Sequence, residues 1–457
     1  MSKVKKDVTV FEFGYLGKCE KAEKSERIHQ ISKVAFNYLK GICLCDESES
    51  RFLRLKSIDN AEVLQVQNYT GVLFTPDGTQ IEVLPKIGKH LEGEKGEIKA
   101  RNTLIIMLKA LKQFRHIQTH NANLTKQKMP LLEVFITQFL DSVNTLVKRG
   151  VRSDYVRRED NLPFLKGKLK IDKQLQHNAI NKHKFYVEYD DFLQDRPANR
   201  LVHAALKKVT LFTRSAHNQK LLRELMFVFH DIPTSTNHKL DFSRVKLDRG
   251  MSYYEIPLDW TRLILEGFSP LTMKGQSHAF SLLFPMEAVF ESYVGSILRK
   301  QLVSNYSLVE QAQSKSLVVH NSVKYFRLKP DFVIKHDGQE IALLDTKWKL
   351  INQNKANGSY KYGLSQADMY QMFAYGHKYL GGKGNMFLIY PEHDEFTQAI
   401  DHCFDFDDNG ELEDDKKLKL WVVPFVIEIN GKSRLLLPRD EKLKAQIFEE
   451  LPFSTST

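Results

Sequence analysis

From residue 8 to about residue 86 the apolar positions come in short alternating runs: VTVFEFG, RFLRL, EVLQV, GVLFT and QIEVLP. Turn material separates them, including Thr75-Pro76-Asp77-Gly78. A period of two marks half-buried strands, so the segment predicts a β-rich module, interrupted by a helix over 26–40. The period then lengthens to that of helices over 101–114, 131–149, 199–213 and 218–229. GKHLEGEKGE links the module to this helical region, and NANLTKQKMP is a loop inside it. Towards the C-terminus the pattern becomes mixed. A helix over 285–302 is followed by two short apolar runs at 332–334 and 341–344, a helix over 366–380, and buried strands over 386–390 and 420–429. Pro424 inside the last strand implies an edge or a bend. The pattern thus divides the chain into a β-rich module (1–98), a mainly helical centre (99–270) and an α/β segment (271–457).

The two apolar runs flank Asp337-Gly338, a hairpin signal because such turns require positive φ. Charges fall at the end of this hairpin: Asp331 opens the first strand, and Asp345 and Lys347 close the second. Strand side chains alternate, so Asp345 and Lys347 share a face while Thr346 and Trp348 take the other. An unpaired carboxylate at the end of an apolar hairpin is costly. One reading is an exposed Asp345–Lys347 ion pair of little worth. The other is a metal site, since Mg²⁺ prefers carboxylate oxygens and completes its shell with water and phosphate. Beside it, a lysine can orient or deprotonate water, or stabilise a phosphoryl transition state. A shared site needs both acids on one face. A regular two-residue turn would pair Asp331 with Leu344 and separate them, so the chemistry predicts a three-residue loop, His336-Asp337-Gly338, or another bulge between the acids.

Pro330-Asp331 followed by Asp345-Thr346-Lys347 is the pattern of the PD-(D/E)xK nucleases. In these the preceding helix often adds an acid. Glu287 and Glu291 both lie beside the apolar stripe of 285–302, and Glu291, deeper in the helix, is the choice for the metal site with Asp331 and Asp345. On the following helix Gln371 and Tyr375 are four apart and share a face. That pair resembles the RecB-like branch, where the Gln supports the site and contacts the DNA backbone. Gln366 and Tyr370 have the same spacing.

Composition narrows the partners. The 457 residues carry 67 Lys and Arg against 56 Asp and Glu, a formal charge of +11, which favours a polyanionic partner. Within 150–200, Arg152, Arg157, Arg158, Lys166, Lys168, Lys170 and Lys173 alternate with aromatic and apolar residues in an irregular stretch. They suit phosphate contacts, a partner surface or a plain solvated face. The four cysteines make no disulfide framework, and Cys43-Leu-Cys45 lacks the second pair of a zinc site. The start has no apolar leader and no stretch approaches a membrane span, so a cytoplasmic protein is expected. There is no G-x-x-x-x-G-K-[ST], so no nucleotide is expected on this chain.

Four passages together resemble the McrC family, the nuclease subunit of McrBC-type restriction systems: NYTGVLFTPDGTQIEVLPKI, LKGKLKIDKQLQHNAINKHKFYVEYDDFLQDRPANR, FPMEAVFESYV, and the hairpin with DMYQMFAYG. The resemblance implies a Mg²⁺-dependent endonuclease (Mn²⁺ as a substitute) acting on double-stranded DNA, with a PD-(D/E)xK restriction-endonuclease-like core of mixed sheet flanked by helices. It further implies that the N-terminal module docks on McrB, a hexameric AAA+ GTPase that translocates DNA, and stimulates its hydrolysis. By position, Asp331, Asp345 and Lys347 would be catalytic, with Glu291 and Gln371 in support. Helical material around 200–270 and an acidic loop over 401–417 exceed the compact members of the family. A stand-alone RecB-like repair nuclease would not need this N-terminal half. A non-catalytic adaptor that only activates an NTPase would not need all three catalytic positions.

Overall fold

A computed structural model describes residues 7–18, 28–45, 52–89, 93–111, 129–266, 281–302, 306–356, 358–407, 413, 416–428 and 433–437. The chain forms two compact units, one of residues 1–128 with 270–457 and one of residues 129–269. The second unit therefore interrupts the first in sequence.

The first unit opens with β1 (Asp7–Phe11), β2 (Tyr15–Lys18), β3 (Ile28–Ile31), α1 (Lys33–Cys45), β4 (Leu53–Ile58), β5 (Ala61–Val66), β6 (Tyr69–Phe74), β7 (Gln80–Leu84) and α2 (Glu94–Leu108). The helix expected over 26–40 starts only at Lys33, because Ile28–Ile31 pairs in parallel with β2. Ser32 supplies the stop between them, its Oγ accepting from the Ala35 N–H at 3.0 Å, as capping hydroxyls do. The Pro76-Asp77 pair sits in the β6–β7 turn as expected. There Asp77 Oδ1 accepts from Thr75 Oγ1 at 2.6 Å and from the Thr79 N–H at 3.2 Å. α2 begins seven residues before the expected 101, so the last four residues of the presumed link are helix. Arg101 fixes it to the sheet, bonding both Glu97 and Glu82 at 2.8 Å. Most of NANLTKQKMP lies outside the described residues.

Strands order as β3-β2-β5-β4 in one sheet and β1-β7-β6-β11 in another, where β11 (Ser281–Pro285) arrives from far along the chain. Val10, Leu16, Phe36, Leu64, Leu73, Ile81 and Leu283 share one core beneath them. Gly71 permits the β6–β11 approach. A Cβ there would lie 1.9 Å from the Leu282 carbonyl oxygen, and its φ of +134° suits glycine.

The second unit holds α3 (Leu131–Arg149), β8 (Asp154–Leu162), β9 (Lys168–Leu169), α4 (Ile171–Asn178), β10 (Phe185–Leu193), α5 (Pro197–Val209), α6 (Ala216–Val228), α7 (His238–Arg244) and α8 (Glu255–Glu266). The stretch read as irregular is instead an antiparallel sheet, β8-β10-β9. Its alternation was obscured because both of its faces carry charge.

The remainder of the first unit runs α9 (Met286–Gln301), β12 (Tyr306–Glu310), β13 (Ser316–His320), β14 (Val323–Arg327), β15 (Phe332–His336), β16 (Gln339–Thr346), α10 (Gln366–Tyr379), β17 (Gly384–Pro391), β18 (Phe404–Asp405), β19 (Leu418–Val426) and β20 (Arg434–Leu435). The main sheet is mixed, ordered β12-β15-β16-β17-β19-β18, with β20 also on β19. β16, β17 and β19 are parallel. Val333 and Leu343 pack with Met372 and Tyr375 of α10, whereas Phe332 lies against Gly295 of α9. Neighbouring residues of a strand point oppositely, so the two helices cover opposite faces. Pro424 is not on an edge strand; it falls between the short partners β18 and β20, where its missing N–H breaks no ladder. Part of the acidic loop over 401–417 is ordered, with Lys417 paired to Asp405 at 3.0 Å and Asp407 at 3.4 Å; residues 408–412 and 414–415 lie outside the described residues.

Candidate active site

The hairpin turn has two residues, not three. Asp337 (φ +48°) and Gly338 (φ +81°) join His336 to its partner Gln339. The shift comes one step later, where β16 carries Ile341 as an extra residue between Glu340 and Ala342. From there Ile334 pairs with Ala342, Val333 with Leu343 and Phe332 with Leu344. The next step sets Asp331 opposite Asp345, continuing the Val333–Leu343 face towards α10. A bulge of one residue turns every later side chain to the other face, and here it brings two acids together.

The two carboxylates are held differently. Asp331 Oδ2 accepts from the Thr346 N–H at 2.7 Å and from its hydroxyl at 2.6 Å. Asp345 is 1% exposed. Its Oδ2 lies 2.5 Å from Lys347 Nζ as an ion pair. Burial first, and then the charge of Asp331, push the Asp345 carboxyl up to about 7 against the pull of Lys347. Burial alone would lower Lys347, but Asp345 and then Asp368 hold its ammonium above the ordinary lysine value.

Lys347 is oriented from α10. Its Nζ donates to Gln371 Oε1 at 2.9 Å, Gln371 Nε2 donates to the Tyr375 hydroxyl at 2.8 Å, and Tyr375 donates to the Lys329 carbonyl at 3.0 Å. The relay starts and ends on the hairpin itself. Gln366 and Tyr370 also bond to each other, but on the exposed side of the helix. Glu291 accepts from Gln311 Nε2 at 2.8 Å; burial and Asp331 raise its pKa. Glu287 instead accepts from Asn68 Nδ2 at 3.0 Å.

Asp331, Lys347, Glu287 and Glu291 border an open cleft of about 970 Å³, with Asp345 buried behind its wall. The N-terminal part of the same unit supplies another wall, which sequence reasoning missed. Glu12, fully buried, accepts from Trp348 Nε1 at 2.9 Å and from the Lys86 N–H at 3.0 Å. Lys86 Nζ donates to the Trp348 carbonyl at 2.6 Å. Burial raises Glu12 and lowers Lys86. Asp368, 3.8 Å from Lys347, was also missed. The signals were faint: Glu12 reads as one polar position in an alternating strand, and Asp368 as a first-turn acid.

Among the described residues no three or more His, Cys, Asp or Glu side chains form a metal cage. Two facing carboxylates, one of them buried and burdened by the charge of the other, do suit a hard cation that keeps water in its shell. The basic stretch is placed in the second unit, and several of its cations are already neutralised. Arg157 meets Glu188 at 3.2 Å, Lys166 meets Asp191 at 3.4 Å, and Lys170 lies 2.9 Å from Glu188 and 3.3 Å from Glu159. Arg152, Arg158 and Lys168 are exposed.

Comparison with known proteins agrees on one family. The model of the McrBC 5-methylcytosine restriction system component matches residues 64–391. The type IV methyl-directed restriction enzyme EcoKMcrBC of Escherichia coli (strain K12) is 21% identical over 253 residues, covering 54% of this chain and 71% of that protein. In fold, the chain is similar to one in a refined half-complex from a tetradecameric assembly of Thermococcus gammatolerans McrB AAA+ hexamers with bound McrC. The TM-score is 0.66 at 18% identity, covering 93% of this chain and 96% of that one. A second match, to the Thermococcus gammatolerans McrBC complex, has a TM-score of 0.48 at 22% identity, covering 65% and 88%.

Proposed function

The chain belongs to the McrBC 5-methylcytosine restriction system component family, and we propose that within such a system it is the DNA-cleaving subunit, a PD-(D/E)xK endonuclease. The observation that carries this reading is the bulged hairpin that faces Asp331 with Asp345 and leaves Lys347 held between Asp345 and Gln371. Asp331 and Asp345 would hold Mg²⁺ (or Mn²⁺), with Glu291 the further acid at the same cleft. When bound, such an ion activates water and neutralises charge at the scissile phosphate. Lys347, kept protonated by its acidic neighbours, serves as a fixed positive charge for the phosphoryl oxygens rather than as a base. Gln371 and Tyr375 hold that ammonium in place, so little reorganisation is needed when charge develops. Trp348, bonded to Glu12 and Lys86, closes the strand end behind it.

The fold neighbour is a chain of an assembly in which McrC is bound to McrB AAA+ hexamers, and we extend that partnership to this chain. Among the described residues no helix is long and apolar enough to cross a membrane. The test is a mixture of the chain, its McrB-type partner, nucleotide, Mg²⁺ and a duplex bearing 5-methylcytosine. Cleavage should occur, and Asp345→Ala should abolish it while leaving the partner's stimulated hydrolysis intact. Cleavage by the variant at the unaltered rate would sink the assignment. Loss of both activities would instead make Asp345 a residue of the fold.

A further inference from the structure

Among the described residues β13 and β14 pair only with each other. A lone two-stranded ribbon is marginal in water and normally buries one face. This one exposes apolar side chains on both. The register pairs Val318 with Tyr325, Val319 with Lys324 and His320 with Val323. One face therefore presents Val318 and Tyr325, and the other Val319 and Phe326. Phe326, 73% exposed, has a φ of +55°, strained for a bulky residue. Such exposed apolar surface marks an interaction site.

Charge identifies the partner. From residue 311 to residue 330 there is no Asp or Glu, while Lys315, Lys324, Arg327 and Lys329 are all present. All four are exposed, and no ion pair neutralises them among the described residues, in contrast to Arg157, Lys166 and Lys170 of the second unit. A second copy of the chain would set this patch against itself, cation to cation, at a cost. A polyanion with a groove has no such conflict. The major groove of a duplex admits a two-stranded ribbon, its phosphates take the cations, and apolar side chains enter against base edges or between base steps.

The ribbon is also rooted beside the carboxylates. The Leu328 N–H donates to the Lys315 carbonyl at 3.0 Å, closing its base. Tyr379 of α10 donates to the Ala312 and Leu328 carbonyls at 2.9 and 3.2 Å. One turn earlier Tyr375 binds the Lys329 carbonyl, and one turn before that Gln371 binds Lys347. A single helix face thus holds both the ribbon and the reacting lysine.

We propose that the β13–β14 ribbon is the element that grips duplex DNA and feeds it to the Asp331–Asp345 cleft. The inference rests on the nuclease reading. Its test uses the full chain in EDTA, which keeps the duplex uncut, with anisotropy of a labelled duplex followed across salt concentrations. Lys324→Gln combined with Arg327→Gln should weaken binding about tenfold and flatten the slope of log affinity against log salt by about 2. Phe326→Ala should weaken binding without changing that slope. Unaltered binding in both variants, beside a cleavage-dead Asp345→Ala, would overturn the ribbon alone. Unaltered binding with a lighter sedimenting species would assign the ribbon to contacts between copies and overturn it equally. Failure of the unaltered chain to bind duplex at all would overturn the ribbon and the nuclease reading together.

Discussion

Asp331 and Asp345 face each other because β16 carries one residue more than its partner, and Asp345 pays for the meeting. Its carboxylate is buried beside a second negative charge, which the ion pair to Lys347 does not outweigh, and this destabilises the metal-free fold. Asp345→Asn removes the charge and keeps the shape. Thermal melts should show the variant more stable, by roughly 1–2 °C for each kcal/mol relieved in a unit of this size, while cleavage falls by roughly 10³-fold as a term of several kcal/mol is lost. A variant both less stable and inactive would contradict this account.

The same group sets a pH dependence. Its folded pKa is raised from 3.8 to about 7. Between these values the folded chain binds a proton that the unfolded chain has lost, so this site's contribution to stability falls as pH rises across the window and levels off above it. The difference in melting temperature between Asp345→Asn and the unaltered chain should therefore be near zero at pH 4, grow towards pH 7, and then stay constant. Mg²⁺ binding, which needs the carboxylate, should tighten over the same range when followed by calorimetry.

Gln371 acts through Lys347. Gln371→Ala frees the ammonium and should lower kcat by roughly 10- to 100-fold with little change in KM, as expected of a group that matters in the transition state. Tyr375→Phe, which keeps the ring but drops both of its bonds, should cost less. Gln366→Ala, on the exposed turn, should cost nothing. Equal losses from Gln366 and Gln371 would remove the relay from the mechanism.

Glu12 joins two buried groups that have no other carboxylate bonded to them among the described residues. Glu12→Ala would leave the Lys86 backbone N–H and the Trp348 indole N–H without their acceptor, and each buried donor so stranded costs about 1–3 kcal/mol. Denaturant melts would measure the loss, and a change in Trp348 emission would locate it. Gly71→Ala, which forces a Cβ against the Leu282 carbonyl, should cost at least about 2 kcal/mol by strain and overpacking.

What the sequence revealed depended on how local the cause was. α3 is read correctly to the residue, because an unbroken apolar stripe closes at Gly150. The acid-x-Lys strand end and the Gln-x-x-x-Tyr pair were legible for the same reason, each being set by spacing within one element. The bulge was demanded by chemistry, but its place at Ile341 was not visible, since nothing in that run distinguishes one apolar residue as extra. β3 was read as helix because Ile28–Ile31 shows its strand character only against β2. The β8–β10 sheet was hidden by its charged faces, whose lysines and arginines find their carboxylates only once the strands pair. The wall from Glu12 and Lys86 required knowing that residues over 260 positions apart would touch.

β11 completes a sheet whose other three strands are made before residue 85. On the ribosome that partner emerges only after the whole intervening unit, roughly 10–40 s later at 5–20 residues per second. Throughout that interval β6 offers an unpaired edge, with Gly71 leaving it bare where Leu282 will later lie. The nascent chain must therefore shelter this edge while the inserted unit folds by itself. A fragment ending near residue 128 would keep the edge permanently open, and would aggregate by strand addition rather than stand as a separate docking module.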